Sequence, residues 1–99
     1  MKTARVNATY PMYGDITPKD WCDEVLGNAK KNGQIKSWSF IDSTPSVMGL
    51  EYVRFEVDMP APEATDEDDI YELIRAFLND IVHDEDVAVN HFMIISKED

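Results

Sequence analysis

The chain has 99 residues, of which 43% are hydrophobic, and a formal net charge of −11 at pH 7. A chain of this size can bury one core, and its hydrophobic fraction excludes general disorder. Such an acidic chain is a poor partner for nucleic acid or an anionic membrane, because both attract Lys and Arg. We therefore expect a single domain over residues 1–99 that contacts neither directly.

The charge is unevenly distributed along the sequence. Residues 56–99 carry 14 acidic residues against 2 basic ones, a formal −12, whereas residues 1–55 carry 6 acidic and 7 basic residues, about +1. Concentrated charge of one sign attracts oppositely charged partners and speeds their arrival. The expected partner is a basic protein surface.

Cys22 is the only cysteine, which excludes an intrachain disulfide and a zinc site made of cysteines. A lone cysteine fits a reducing compartment. The first residues lack the apolar run of a signal peptide, and no stretch approaches the about 18 apolar residues of a membrane span. The sequence predicts a cytoplasmic protein.

The N-terminal part predicts a strand and a helix. Residues 3–10 alternate between apolar and polar side chains, which is the period of a strand, and Pro11 ends the alternation. A helix over residues 18–31 follows. Thr17 precedes it as the N-cap residue, and Gly33 follows it and supplies a left-handed C-terminal cap.

A hairpin, a long helix and a last strand follow. Ile35–Asp42 and Leu50–Asp58 are rich in aromatic and β-branched residues, as strands are. Thr65 is the expected cap of a helix over residues 66–83, and Val87–Ile95 is the expected last strand, with apolar residues on both faces. The apolar residues of the long helix recur at helical spacing: Ile70, Leu73, Ile74, Phe77, Leu78, Ile81 and Val82.

The predicted order of elements is βαββαβ. It indicates a ferredoxin-like α+β fold, a two-layer sandwich with both helices on one face of a four-stranded antiparallel sheet of order 4-1-3-2. The residues expected in the core are Val6, Trp21, Val25, Val53, Phe55, Ile74, Phe77 and Ile81.

No catalytic motif is present. Cys22 lies on the apolar stripe of the first helix and is interpreted as a buried hydrophobic residue, because a nucleophile needs a base and electropositive surroundings. His83–Asp86 and Asp66–Asp69 have the chemistry of metal ligands, but both lack the glycine and terminal glutamate of a calcium loop. The sequence predicts no enzyme activity, no metal site and no cofactor.

Two known families share this order of elements, but their characteristic residues are not matched here. The loop Tyr10–Asp15 lacks the arginine of an acylphosphatase. Gly49–Phe55 is similar to the third-strand signature of an RNA-recognition motif, but Arg5–Thr9 of the first strand offers no aromatic residue on which a base could stack. Alternating aromatic residues in a buried strand explain this similarity more simply.

Strand parity predicts which side chains lie on the open face of the sheet. If Val53 and Phe55 point at the helices, Tyr52 and Arg54 point away from them. The first strand would place its polar residues there too: Arg5, Asn7 and Thr9. Large apolar side chains on such a face often mark a dimer or partner contact. One hypothesis is therefore a regulatory or small-ligand-binding domain that forms a homodimer through this face, in contact at Arg5, Tyr52 and Arg54.

The second helix and its flanks form the main candidate for a partner-binding surface. Asp69, Glu72 and Asp80 lie on the outer side of that helix, with Asp69 and Asp80 about 16 Å apart along its axis. Together with the flanking acids they make a ridge of charge comparable to a phosphate backbone. The full set is Asp66, Glu67, Asp68, Asp69, Glu72, Asp80, Asp84, Glu85 and Asp86. The simpler alternative is a solvated face that only aids solubility.

In composition, size and charge layout, the chain resembles the small acidic nucleic-acid mimics that phages and plasmids use against restriction and CRISPR systems. The resemblance implies a non-enzymatic inhibitor that occupies a basic, nucleic-acid-binding surface of another protein.

Overall fold

The structure, a computed structural model, describes residues 2–13, 16–46 and 49–96. Its elements in chain order are β1 (Lys2–Met12), α1 (Pro18–Lys31), β2 (Ser37–Pro45), β3 (Glu51–Pro60), α2 (Glu67–Val82) and β4 (Ala88–Ser96). The strands form one antiparallel sheet in the order β2-β3-β1-β4. The predicted ferredoxin-like α+β fold and its strand order are confirmed.

The ends of α1 follow the predicted signals. Thr17 is the N-cap, and its Oγ1 accepts a hydrogen bond from the N–H of Asp20 at 3.2 Å. At the other end Gly33 has a φ of 78°, and the N–H groups of Gly33 and Gln34 bond to carbonyls of the last helical turn. This pattern is the Schellman motif, which satisfies the last carbonyls of a helix.

The ends of α2 differ from the prediction. Asp66, not Thr65, is the N-cap, and its carboxylate accepts the N–H of Asp68 at 2.9 Å. A carboxylate is favoured over a hydroxyl at this position because the N-terminal end of a helix is positive. The helix ends at His83, whose left-handed φ of 62° lets its N–H bond to the carbonyl of Asn79.

β1 continues through Pro11, where the sequence predicted its end. Pro11 pairs with Tyr52 of β3, whereas the pairing of β1 with β4 stops at Thr9. Beyond Thr9, β1 therefore has a partner on one side only, and a residue without an N–H is tolerated there.

The core lies between the sheet and the two helices. Five of the predicted core residues are buried: Val6, Val53, Phe55, Ile74 and Ile81. Three are only partly buried and pack against the core: Trp21, Val25 and Phe77. Leu26 and Leu78 are fully buried helix residues that the list of expected core residues left out, as is Cys22, which was expected to be buried.

A bulge in β4 decides which of its faces is buried. The register with β1 shifts between Asn7 and Ala8, so Asn90 has no opposite residue. The shift changes the parity of the strand, because side chains alternate with a period of two. Buried or packed residues on the helix side are therefore Val87, Val89, Phe92 and Ile94, while Met93 is 61% exposed.

The same bulge buries a polar residue that was expected to be solvated. Asn7 is only 8% exposed, because the Nδ2 of Asn90 donates to its Oδ1 at 2.8 Å. The same Nδ2 also reaches the Oγ1 of Thr9 at 2.8 Å. Asn7 lies on the open face as predicted, but the side chain of Asn90 covers it.

Candidate partner-binding surface

The outer side of α2 carries the central group of predicted acids. Ile74, Leu78 and Ile81 are the buried residues of this helix, so its opposite side faces solvent. Helical spacing places three carboxylates there, all exposed: Asp69, Glu72 and Asp80. The structure thus brings these predicted residues onto one solvent-facing side.

The N-terminal flank of α2 adds three more exposed acids. Glu67 and Asp68 lie in the first helical turn, where the helix dipole stabilises each carboxylate by about 0.3–1 kcal/mol. Asp66 is exposed as well, but one of its oxygens is already used to cap the helix. Only part of its hydrogen-bonding capacity remains for a partner.

The acids of the C-terminal flank differ in exposure: two are free to contact a partner, and one holds the loop in place. Glu85 and Asp86 are exposed. Asp84 is partly buried, and its carboxylate accepts the hydroxyl of Tyr10 at 2.6 Å and the N–H of Asp86 at 3.1 Å. Asp84 therefore holds the loop after α2 against β1, and it is a weaker candidate for partner contact than its neighbours.

The contact between Tyr10 and Asp84 changes the acidity of both groups. The hydrogen bond from Tyr10 lowers the pKa of Asp84 below its usual range, with help from the N–H of Asp86. Burial, followed by the hydrogen bond to Asp84, raises the pKa of Tyr10 to about 12. The neutral phenol and the charged carboxylate are the favoured pair at neutral pH.

The acids of α2 have little compensation from basic residues. The helix Glu67–Val82 contains five acids and one base, Arg75. Within the described residues, the only ion pair of these acids joins Arg75 Nη1 to Glu72 at 4.0 Å, with both side chains well exposed. An exposed pair of this kind contributes at most about 0.5 kcal/mol. The outer side of α2 thus keeps most of its negative charge.

On the open face of the sheet, in contrast to α2, the acidic side chains are paired with arginines. Arg5 donates two hydrogen bonds to Asp58, at 2.9 and 3.0 Å, and Arg54 makes a two-pronged contact with Asp42. The hydrogen bond from Arg5 lowers the pKa of Asp58. Arg5, Arg54 and Tyr52 all lie exposed on this face, as predicted, but both guanidinium groups are already paired with carboxylates.

Two apolar residues of α2 belong to its exposed surface, and the sequence interpretation missed them. Leu73 is 47% exposed and Tyr71 is 36% exposed. Leu73 recurs at helical spacing with the buried residues of α2 but is not buried with them. A helical projection would have detected it, because Leu73 lies about 100° around the helix from Ile74 and shares the outer side with Asp69.

The structure also describes the surroundings of Cys22 and of the acidic clusters that the sequence analysis considered. Cys22 is fully buried, and burial raises the pKa of its thiol to about 12. No cluster of three or more His, Cys, Asp or Glu side chains suited to a metal ion occurs among the described residues. Across residues 2–13, 16–46 and 49–96, neither helix has the length and apolar character needed to cross a bilayer.

No protein-family model matches the chain, and no curated protein matches it significantly. Among solved structures, the chain is similar to the full extracellular region of zebrafish Gpr126/Adgrg6, with 11% sequence identity and a TM-score of 0.44. The match covers 94% of this chain and 13% of that one, so this chain spans a small part of that protein. A similarity this weak supports no argument about function.

Proposed function

We propose that the chain is a non-enzymatic binding module whose acidic α2 surface occupies the nucleic-acid-binding site of a basic partner protein. The observation that carries this proposal is the contrast in charge compensation. The acids of the open sheet face are held by Arg5 and Arg54. Those of α2 have, among the residues that the structure describes, only the long contact of Glu72 with Arg75.

Solubility alone does not explain this contrast. α1 (Pro18–Lys31) has three acids and three bases, so it is neutral, whereas α2 (Glu67–Val82) carries a formal −4 from five acids and one base. An acidic coat that served only solubility would gain nothing from being concentrated on one helix. Charge confined to one side instead favours oriented attraction of a partner.

The spacing of the charges suits imitation of one nucleic-acid strand. The 16 residues of α2 extend about 24 Å at about 1.5 Å per residue. Four of its carboxylates fall within about 8 Å of the axis and the fifth lies about 12 Å further along: Glu67, Asp68, Asp69, Glu72 and Asp80. Their mean spacing of about 5 Å is closer to the about 3.4 Å of one DNA strand than to the about 1.7 Å of the duplex. The surface therefore fits a groove that follows one phosphate backbone.

The exposed side chain of Leu73 adds an apolar group to the acidic outer side of α2. Exposed charges raise association rates, but they contribute modestly to affinity, because water and salt screen them. Binding energy usually comes from a few apolar or aromatic side chains that become desolvated at the centre of the contact. Leu73 shares the outer side of α2 with Asp69 and Asp80 and is positioned for that role.

The open sheet face supports a second candidate function, that of a regulatory or small-ligand-binding domain that forms a homodimer. The specific observation is that Tyr52 and Met93 are 41% and 61% exposed on that face. Sedimentation equilibrium of the full chain, compared with that of Tyr52→Glu, tests it. A wild-type monomer at all accessible concentrations would exclude the dimer.

A displacement assay tests the main proposal. The full chain is titrated into complexes of fluorescently labelled DNA or RNA with a panel of binding proteins: a restriction endonuclease, an RNA-guided nuclease, a helix-turn-helix repressor and a single-strand-binding protein. We expect displacement from at least one of them, weakening as salt rises. Displacement from none, at an ionic strength low enough to leave the acids unscreened, would contradict the proposal.

A further inference from the structure

β4 is an edge strand that lacks the usual protection beyond Asn90. Val87–Ser96 is the longest run in the chain without Asp, Glu, Lys or Arg, and among the described residues β4 pairs with β1 alone. Edge strands normally carry charges, prolines or bulges that prevent pairing with another chain. The bulge of β4 lies at Asn90, near its start, so the outer edge beyond it runs uninterrupted to Ser96.

The other edge strand of the sheet, β2, carries the usual protective features. β2 contains Asp42, which is paired with Arg54, and ends in Pro45. Its register with β3 also shifts between Phe40 and Asp42, in the middle of the strand. Within the part of the chain that the structure describes, only the β4 edge therefore offers an extended and uncharged template.

Two cavities show which flank of α2 lies above that edge. One, of about 340 Å³, is lined by Ile70 of α2 and by Phe92 and Ile94 of β4. The other, of about 310 Å³, is lined by Val82 of α2 and Val25 of α1. Helical spacing then places three apolar residues on the β4 flank of α2: Ile70, Leu73 and Phe77. Asp69 and Asp80 lie just outside them.

A fifth strand beside β4 would meet different chemistry on its two faces. Its side chains on the helix side would lie under Leu73 and Phe77, and their ends would reach Asp69 and Asp80. A long basic side chain fits this arrangement, because its stem can cover apolar surface while its charged end meets a carboxylate. On the open side it would meet Met93, which favours an apolar residue.

A second copy of the chain is a poor occupant of this edge. Two β4 strands paired about a twofold axis would bring two α2 helices together and set Asp69 and Asp80 of each against those of the other. Each copy also carries −11. Like charges facing one another at an interface oppose association, so the charges favour a basic partner.

We infer that β4 accepts an extended segment of a basic protein as a fifth strand, in which Lys or Arg residues directed at α2 alternate with apolar residues directed at the Met93 side. Strand addition of this kind draws affinity from main-chain hydrogen bonds and specificity from alternate side chains. The inference rests on the proposed function for the role of the acids, and it adds the backbone as the second element of recognition.

A synthetic peptide of alternating lysine and valine, matched to the nine residues of β4, tests the inference by fluorescence anisotropy with the full chain. Successive residues of an extended strand direct their N–H groups to opposite edges. N-methylation of either all lysine or all valine amides therefore blocks one edge at a time. We expect saturable binding that one methylated series weakens by more than about tenfold and the other retains.

Variants of the protein locate the edge. Met93→Lys places a charge on the exposed side of β4 and should weaken peptide binding by more than about tenfold, whereas Met93→Leu should retain it. Thr44→Lys, on the opposite edge strand, adds the same charge and should have little effect. Equal binding by both methylated peptides would overturn strand addition while leaving the acidic surface of α2 intact as a binding site. Absence of peptide binding, or equal loss from Met93→Lys and Thr44→Lys, would overturn it as well.

Discussion

Tyr10 and Asp84, 74 positions apart in sequence, are joined by a hydrogen bond of 2.6 Å between the phenol and a carboxylate oxygen. The contact ties the loop that follows α2 to β1. Tyr10 also stacks on Trp21 of α1, with ring centroids 5.0 Å apart and nearly parallel planes. One side chain thus connects β1, α1 and the acidic loop that follows the candidate binding helix.

Removal of this hydrogen bond should destabilise the protein in a pH-dependent way. The pKa of Asp84 is lower in the folded chain, so its contribution is present above the unfolded pKa of about 3.9 and is lost as pH falls through the folded value. Tyr10→Phe should lower the free energy of unfolding at neutral pH, and its difference from wild type should shrink below about pH 4. Urea unfolding at a series of pH values measures both. A constant difference would contradict the assignment.

On the alkaline side the same phenol should titrate late. The pKa of Tyr10 is raised to about 12, against about 10 for a solvated tyrosine. Because the folded value is the higher one, this contribution is complete below about pH 10 and is lost as pH rises toward about 12. Ultraviolet titration of the folded protein should show a late-ionising phenol that Tyr10→Phe lacks. If the ionisation that Tyr10→Phe removes occurs near pH 10, as for a solvated tyrosine, the burial of Tyr10 and its bond to Asp84 are absent in solution.

Two leucines of the same helix should respond differently to truncation. Leu78 is fully buried, so Leu78→Ala should cost about 2–5 kcal/mol, as cavity formation in a core does. Leu73 is 47% exposed, and Leu73→Ala should cost less than about 0.5 kcal/mol, as at other surface positions. Chemical denaturation measures both. A comparable loss from the two variants would show that α2 is rotated relative to this structure.

Replacing the left-handed residue at the end of α2 by glycine should stabilise the protein. His83 has a φ of 62°, a conformation that L-residues adopt at a cost and glycine adopts freely. His83→Gly should raise the free energy of unfolding by about 0.5–1 kcal/mol, whereas His83→Ala, which keeps a Cβ, should not. Thermal or urea unfolding decides. Destabilisation by glycine would mean that the imidazole makes a contact that outweighs the backbone strain.

The buried thiol should be inert. Cys22 is fully buried and its pKa is raised to about 12 by burial, so thiolate is scarce at neutral pH. Disulfide exchange with an aromatic disulfide reagent should be slow in the folded protein and fast in urea. Cys22→Ser should destabilise more than Cys22→Ala, because a buried hydroxyl without a partner costs about 1–3 kcal/mol. Rapid reaction of the native thiol would contradict its burial.

The sequence contains enough information to predict the fold but not the details of its faces. Alternation and helical spacing are local patterns, and they suffice to predict six elements and their order. The face of β4 could not be predicted, because it depends on the bulge at Asn90, which exists only through pairing with β1. The end of β1 could not be predicted for a related reason. A proline is tolerated at position 11 because β4 stops pairing with β1 at Thr9.

The candidate site was predictable in outline. The outward direction of Asp69, Glu72 and Asp80 follows from helical spacing, and the structure agrees. The inward role of Asp84 could not be predicted, because its partner Tyr10 is brought near only by the tertiary fold. The exposure of Leu73 was not predicted, because the spacing pattern groups it with Ile70 and Ile74 without measuring its angle from the buried side of the helix.

The most direct test of the acidic-surface proposal is charge reversal in the displacement assay. Asp69, Glu72 and Asp80 are changed to Lys in one variant; Asp20, Asp23 and Glu24, equally exposed acids of α1, are changed in the control. Both variants alter net charge by the same amount, and circular dichroism establishes that both fold. We predict that the α2 variant displaces nucleic acid more than about tenfold less effectively than wild type, and that the α1 variant remains close to wild type. Equal losses from the two variants, or no loss from the α2 variant, would contradict the proposal that the outer side of α2 binds the partner.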